Sequence, residues 1–330
     1  MCIRDSSSVF PALNPSWLAA GLILVLTLGH TINRRSSGSV QGAFTVLKVL
    51  LILGFCGLAW VLVGEPQPVR FLPESADASL VFSGAFAVSL IYVNYAYTGW
   101  NAATYLLSEV EDPERSLSRV LIGGTLTVMV LYLLLNMTFL IVAPIPEMTG
   151  KLEVGYVAAR FVFGDAGGAI MGVVLALLLV STVSAMVLAG PRVLQVIGED
   201  FRAFRLLQRT NRHGIPFVAI IAQSILSLIF IATASFESIL VFTGFTLGLN
   251  TFFTVLGVFV LRRRRPELPR PYRAWGYPVT PIVFLAFSFY VLIFQIRDKP
   301  TEFFYGMATL SVGLIVYFGL SRSNRVRSTK

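Results

Sequence analysis

Asn94 to Asn101, "NYAYTGWN", sits within an uncharged run of 28 residues from Leu80 to Leu107. As one straight α-helix that run would extend about 42 Å at ~1.5 Å per residue, against a hydrocarbon core of about 30 Å. Tilt absorbs part of the surplus, but the centre is polar: Asn94, Tyr95, Tyr97, Thr98, Gly99 and Asn101. Gly99 weakens a helix by roughly 1 kcal/mol relative to alanine and adopts backbone angles that other residues avoid. An interruption here would free peptide N–H and C=O groups. In a membrane such groups survive only when buried in protein or lining a wet cavity. Secondary transporters bind substrate at breaks of this kind. A continuous helix packed through Gly, Ala and Thr, with its tyrosines against neighbours, would use the same residues. The stretch alone leaves both readings open.

Outward from this run, the chain repeats the same apolar theme. Of 330 residues, 55% are hydrophobic and only 13% charged, about half the charge of an ordinary soluble domain. Nine segments are long and apolar enough to span a bilayer: 15–33, 39–64, 80–107, 120–143, 166–189, 215–236, 238–261, 278–296 and 303–321. The predicted fold class is all-α, a polytopic transmembrane helical bundle with no sizeable soluble domain. The net charge of +9 is unevenly spread. Alternate loops (34–38, 108–119, 190–214, 262–277 and 322–330) hold 19 Lys/Arg, and the opposite set holds five. This positive-inside bias predicts a cytoplasmic carboxyl terminus. Arg262 to Arg265 then read as a cytoplasmic stop, and no nucleic-acid partner is expected.

Two cysteines and two distant histidines form neither a disulfide framework nor a metal-ligand pattern. No metal or other cofactor is expected. A membrane-embedded acyltransferase or hydrolase would need a nucleophile and base at a common depth. His30 and His213 fall in different surroundings and no such pair is visible. Glu109, Glu111 and Asp112 read as a solvated helix end, with Arg115 and Arg119 as candidate partners and Arg192 as a candidate gate residue. The leader "MCIRDS" lacks an apolar core and is not a signal peptide. It resembles a tag found at the starts of proteins assembled from environmental sequence. Residues 1–14 are expected to be a non-native leader, 15–321 the membrane domain, and 322–330 a basic cytoplasmic tail.

"YAYTGWNAATYLLSEVEDPERSLSRVL" (95–121) resembles the sixth transmembrane helix and following loop of the amino acid–polyamine–organocation transporters, especially their amino-acid permease and L-type exchanger branches. "VQGAFTVLKVLLIL" (40–53) is similar to their fifth helix and "STVSAMVLAGPRVLQVIGED" (181–200) to the eighth. "LRRRRPELPRPYRAWGYPVTP" (261–281) is similar to the link between tenth and eleventh. The four occur in order and span about Trp17 to Leu320. The resemblance implies a LeuT-like fold, here matching helices four to twelve and lacking the first three. It also implies an amino-acid permease of the plasma (inner) membrane, a symporter or antiporter, incomplete as given. A non-transporting membrane scaffold, with an unbroken helix at 94–99 and a neutral Lys48, is the rival expectation.

In the family, carbonyls of the unwound sixth helix accept hydrogen bonds from the substrate ammonium. Carried over, these belong to Tyr95, Ala96 and Thr98, with Gly99 permitting the break. Tyr95 takes the aromatic position that closes over substrate; Tyr97 lies in the same stretch, and Trp100 and Asn101 flank the side-chain pocket. Lys48 lies about nine residues into its span, or roughly 13 Å deep at ~1.5 Å per residue. Its stem could snorkel part of that distance, while a cation at this depth more often faces the bundle interior with a partner. In sodium-independent relatives a matching lysine replaces the sodium ion that tethers two helices. Its expected partners here are Ser181, Thr182 or Ser184. Asn250 could line the cavity or bond between helices. The expected partners are a small amino acid and the bilayer, with an ancillary subunit left open.

Overall fold

The computed structural model describes residues 15–32, 37–70, 72, 74–75, 77–105, 112–151, 153–270 and 272–328. The leader, Glu109 and Glu111 lie outside them, as do the side chains of Arg115 and of the 322–330 tail. Among the described residues all regular structure is helical. Six helices are long and apolar enough to cross a membrane, and three shorter apolar helices accompany them. The chain is an all-α, multi-pass membrane protein. It divides into two compact units: one of residues 1–71 and 123–233, the other of residues 72–122 and 234–330.

The first unit contains α1 (Pro15–Ile32), α2 (Ser37–Leu62) and part of a helix that begins at Pro113 and ends at Val142. It also holds Val154–Asp200 and Phe217–Thr233, with the short helices Ile145–Met148 and Arg202–Gln208 between them and the preceding elements. Its core joins Phe55, Cys56 and Ala59 of α2 to Val142, Ala143, Ala158 and Ala159. Four of these are fully buried alanines, whose small side chains let helices approach closely where no hydrophobic drive exists between them. Phe55 fills the remaining space, with ring centroids 6.1 Å from both Phe139 and Phe163. Trp60 donates its indole N–H to Thr138 Oγ1 at 3.0 Å.

The 47-residue helix departs from expectation at both ends. Gly164 has φ 73° and ψ −173°, so two helices meet there at a break. The segment before it, 154–163, was expected in a loop. It forms a helix whose Ala158 and Ala159 are buried in the core, an apolar face that the neighbouring prolines and charges conceal in the sequence. At the other end Pro191 lies inside the helix, which continues to Asp200 rather than stopping near 189. Gln223 donates to the Met186 carbonyl at 3.2 Å, close to the bonding that proline disrupts. Gly190 leaves room for that amide, since a Cβ there would run into it.

The second unit contains Asp77–Val81, Gly84–Ala96, Ala102–Tyr105, the start of the Pro113 helix, Phe236–Arg264, Val279–Asp298 and Pro300–Ser328. In chain order over both units the α-helices after α2 are α3 (Asp77–Val81), α4 (Gly84–Ala96), α5 (Ala102–Tyr105), α6 (Pro113–Val142), α7 (Ile145–Met148), α8 (Val154–Asp200), α9 (Phe217–Thr233), α10 (Phe236–Arg264), α11 (Val279–Asp298) and α12 (Pro300–Ser328). Phe245 of α10 is buried with its ring 5.2 Å from Phe303 of α12, and Gly306 leaves space for it. Gln295 of α11 is 1% exposed and donates to the Val241 carbonyl at 3.0 Å, pinning α11 to α10. Tyr290 donates to the Val81 carbonyl at 2.7 Å.

Candidate functional site

Ser83 starts α4 by accepting the Phe86 N–H at 3.2 Å. The helix lasts only 13 residues, to Ala96. Three-residue turns follow: Thr98 N–H reaches Tyr95 O at 3.0 Å, Ala102 N–H reaches Gly99 O at 3.0 Å, and Thr104 N–H reaches Asn101 O at 2.9 Å. Gly99 has φ 103°, a conformation that other residues resist. Helical geometry resumes at Ala102 in α5. Among the described residues no hydrogen bond engages the Thr98 carbonyl or the Gly99 and Trp100 N–H groups. The unbroken helix expected of a scaffold does not form.

The expected set of carbonyls divides. Tyr95 O accepts both the Thr98 N–H at 3.0 Å and the Thr98 hydroxyl at 2.7 Å, which occupies both lone pairs. Among the described residues nothing donates to Thr98 O, and Asn101 O is taken by the Thr104 amide and hydroxyl. Of the side chains, Tyr95, Tyr97, Thr98 and Asn101 are part-buried while Trp100 is exposed.

Beside the break lies a small recess of about 10 Å³, room for about one water molecule, lined among others by Ile91, Asn94, Gly244, Gly248, Ser288 and Gln295. It exists because α10 crosses α4 at two glycines. A Cβ on Gly244 would lie 3.3 Å from Ile91 Cγ2, and one on Gly248 would lie 3.6 Å from Asn94 Nδ2. Asn250, a candidate cavity residue, is not among the residues lining this recess. At the far end of α4, Gly84 leaves space for the Asp298 carboxylate, into which a Cβ would run. A carboxylate there complements the positive helix terminus, and the negative terminus faces the break.

In the first unit Lys48 Nζ donates to Thr182 Oγ1 at 2.9 Å. The other two expected partners are held elsewhere. Ser181 Oγ donates to Gln41 Oε1 at 3.2 Å, and Gln41 Nε2 donates to Ser184 Oγ at 3.0 Å. His30 Nε2 lies 2.8 Å from the same Ser184 hydroxyl. Three helices thus share one polar seam. Gln41 and the contact of His30 with Ser184 were not expected from the sequence, although Gln41 lies seven residues before Lys48 and so on the same helix face. No group of three or more His, Cys, Asp or Glu residues suited to a metal ion occurs among the described residues.

The family model described as amino acid permease matches residues 6–318. The chain belongs to the amino acid permease family. It is 26% identical over 311 residues to the b(0,+)-type amino acid transporter 1 of Homo sapiens, covering 93% of this chain and 63% of that protein. It is 26% identical over 308 residues to the serine/threonine exchanger SteT of Bacillus subtilis, covering 91% and 68%. It is 26% identical over 321 residues to the large neutral amino acids transporter small subunit 2 of Homo sapiens, covering 91% and 56%. The relatives cross several branches of the permeases, so the match is to the family broadly and not to L-type exchangers in particular. The chain spans about three-fifths of the length of the b(0,+)-type relatives it matches.

Proposed function

We propose that this permease binds a zwitterionic amino acid at the break after Ala96 and carries it by alternating access in a LeuT-like fold, in a plasma membrane with its carboxyl terminus cytoplasmic. The observation that carries the proposal is the end of α4 at Ala96, followed by Thr98 O, Gly99 N–H and Trp100 N–H, which have no hydrogen-bond partner among the described residues. An ammonium group is stabilised by the open Thr98 carbonyl and by the negative end of α4. The Tyr95 ring closes over it, and a cation against an aromatic face gains further stabilisation. Gly99 and Trp100 N–H groups are donors to a carboxylate. Lys48, held on Thr182, takes the place of a bound cation and ties α2 to α8.

Uptake of radiolabelled amino acids into liposomes, together with binding to the purified chain, tests this. Tyr95→Ala and Gly99→Val are each expected to lower affinity by more than about tenfold, a loss of about 1.4 kcal/mol. Unchanged saturable binding in both variants would place the ligand elsewhere.

A further inference from the structure

The last turn of α10 and the connector after it carry six arginines, at 262–265, 270 and 273, against the single carboxylate of Glu267. Three of these guanidinium groups are used to fold it. Arg270 Nη1 donates to the Pro266 and Leu268 carbonyls at 2.9 and 3.2 Å, and its Nη2 donates to the Arg265 carbonyl at 3.0 Å. Arg262 lies 3.6 Å over the Tyr277 ring, which also packs 5.4 Å from Phe259. Arg265 pairs with Glu267 at 3.6 Å. The turn is completed at Gly276, φ 68°, and by Thr280 Oγ1 donating to the Trp275 carbonyl at 2.7 Å.

Arg263, Arg264 and Arg273 are left over. All are exposed, and among the described residues none has a hydrogen bond or ion pair. Trp275 is 84% exposed and Tyr272 51% exposed in the same connector. Arg263 and Arg264 occupy the last turn of an apolar helix long enough to cross the bilayer, which places them at the depth of the headgroups. Exposed Trp and Tyr favour that same boundary, and guanidinium groups pair with phosphate bidentately. We propose that this connector is a binding site for anionic phospholipid headgroups, with Arg263, Arg264 and Arg273 on the phosphate and Trp275 and Tyr272 in the interface. The lipid is the committed partner because the bilayer lies against the helix end that carries these arginines. The proposal takes its side of the membrane from the charge bias and does not depend on where the amino acid binds.

The test is native mass spectrometry of the full chain in detergent, titrated with phosphatidylglycerol or with phosphatidylcholine. Phosphatidylglycerol is expected to be retained preferentially. Arg263→Gln/Arg264→Gln/Arg273→Gln is expected to lower that preference on the order of a hundredfold. The triple lysine variant keeps most of it. Arg322→Gln/Arg325→Gln/Arg327→Gln, an equal loss of charge in the tail, leaves it intact. Equal loss in the tail variant, or none in the connector variant, overturns the site. Displacement of the lipid by millimolar inorganic phosphate would show a free-anion site and overturn the lipid assignment.

Discussion

The Thr98 hydroxyl donates to the Tyr95 carbonyl across 2.7 Å, and the Thr98 amide donates to the same oxygen at 3.0 Å. These two bonds fill the Tyr95 carbonyl, and among the described residues none reaches that of Thr98. Thr98→Val keeps the shape and removes the hydroxyl. It is expected to destabilise the chain by about 1 kcal/mol while changing amino-acid affinity by less than about tenfold. Thermal unfolding and equilibrium binding measure the two effects. A larger loss of affinity would put the hydroxyl itself on the ligand.

Gly99 separates backbone strain from crowding, because a Cβ there meets nothing within 4 Å. Gly99→Ala is expected to cost about 1–2 kcal/mol from its positive φ alone. Gly42, inside α2, also faces open space but has ordinary helical geometry. Gly42→Ala should stabilise by about 0.5–1 kcal/mol. Opposite shifts in the unfolding midpoints of the two variants would verify this.

Gly244 and Ile91 touch where α10 crosses α4. Gly244→Val is expected to destabilise by about 1–3 kcal/mol through overpacking. Ile91→Ala should restore part of that loss, so the double-mutant cycle would show a coupling of about 0.5–3 kcal/mol. Additive effects would mean that the two helices do not meet at these residues.

Thr182 is the acceptor for the Lys48 ammonium. Thr182→Val removes that acceptor without changing size and is expected to cost about 1.5–3 kcal/mol, as for hydrogen bonds to charged groups. Thr182→Ser should retain most of the interaction. Chemical unfolding of the two variants in detergent distinguishes the hydroxyl from the methyl contribution.

Lys299 and Glu237 pair at 2.8 Å where α10 and α12 begin. The hydrogen bond to Glu237 holds the Lys299 amine above its ordinary lysine value. A raised folded-state value stabilises the fold fully below the unfolded lysine value, and the contribution disappears as pH rises through the raised one. The pair is partly exposed, so its worth is below about 1 kcal/mol. Glu237→Gln should narrow the stability difference between neutral and strongly alkaline pH. An identical pH profile in wild type and variant would contradict the pairing.

Much of this was legible in the sequence. Apolar run length located α9, α10 and α11 to within a few residues, because each is bounded by charges, Pro or Ser. The polar centre at 94–101 marked the place where α4 stops. What the sequence concealed was determined by partners far along the chain. Pro191 reads as a terminator, yet Gln223 stabilises the turn around it. The helix before Gly164 lies among prolines, Lys151 and Glu153, and only packing against Phe55 and Val142 reveals its apolar face. Gln41 and His30 are single polar residues in apolar runs, and their roles depend on Ser184 more than 140 residues away. Nor could spacing show that the Thr98 amide and hydroxyl would both bond to Tyr95 O.

The contact between Lys48 and Thr182 bears on the response to voltage. A cation built into the protein needs no ion gradient to fill its place, and a zwitterion adds no net charge to the crossing. A carrier moving one elementary charge gains about 2.3 kcal/mol per 100 mV of membrane potential. In the proposed cycle, with Lys48 protonated throughout and a zwitterion as cargo, the crossing would move no net charge and would draw nothing from that field.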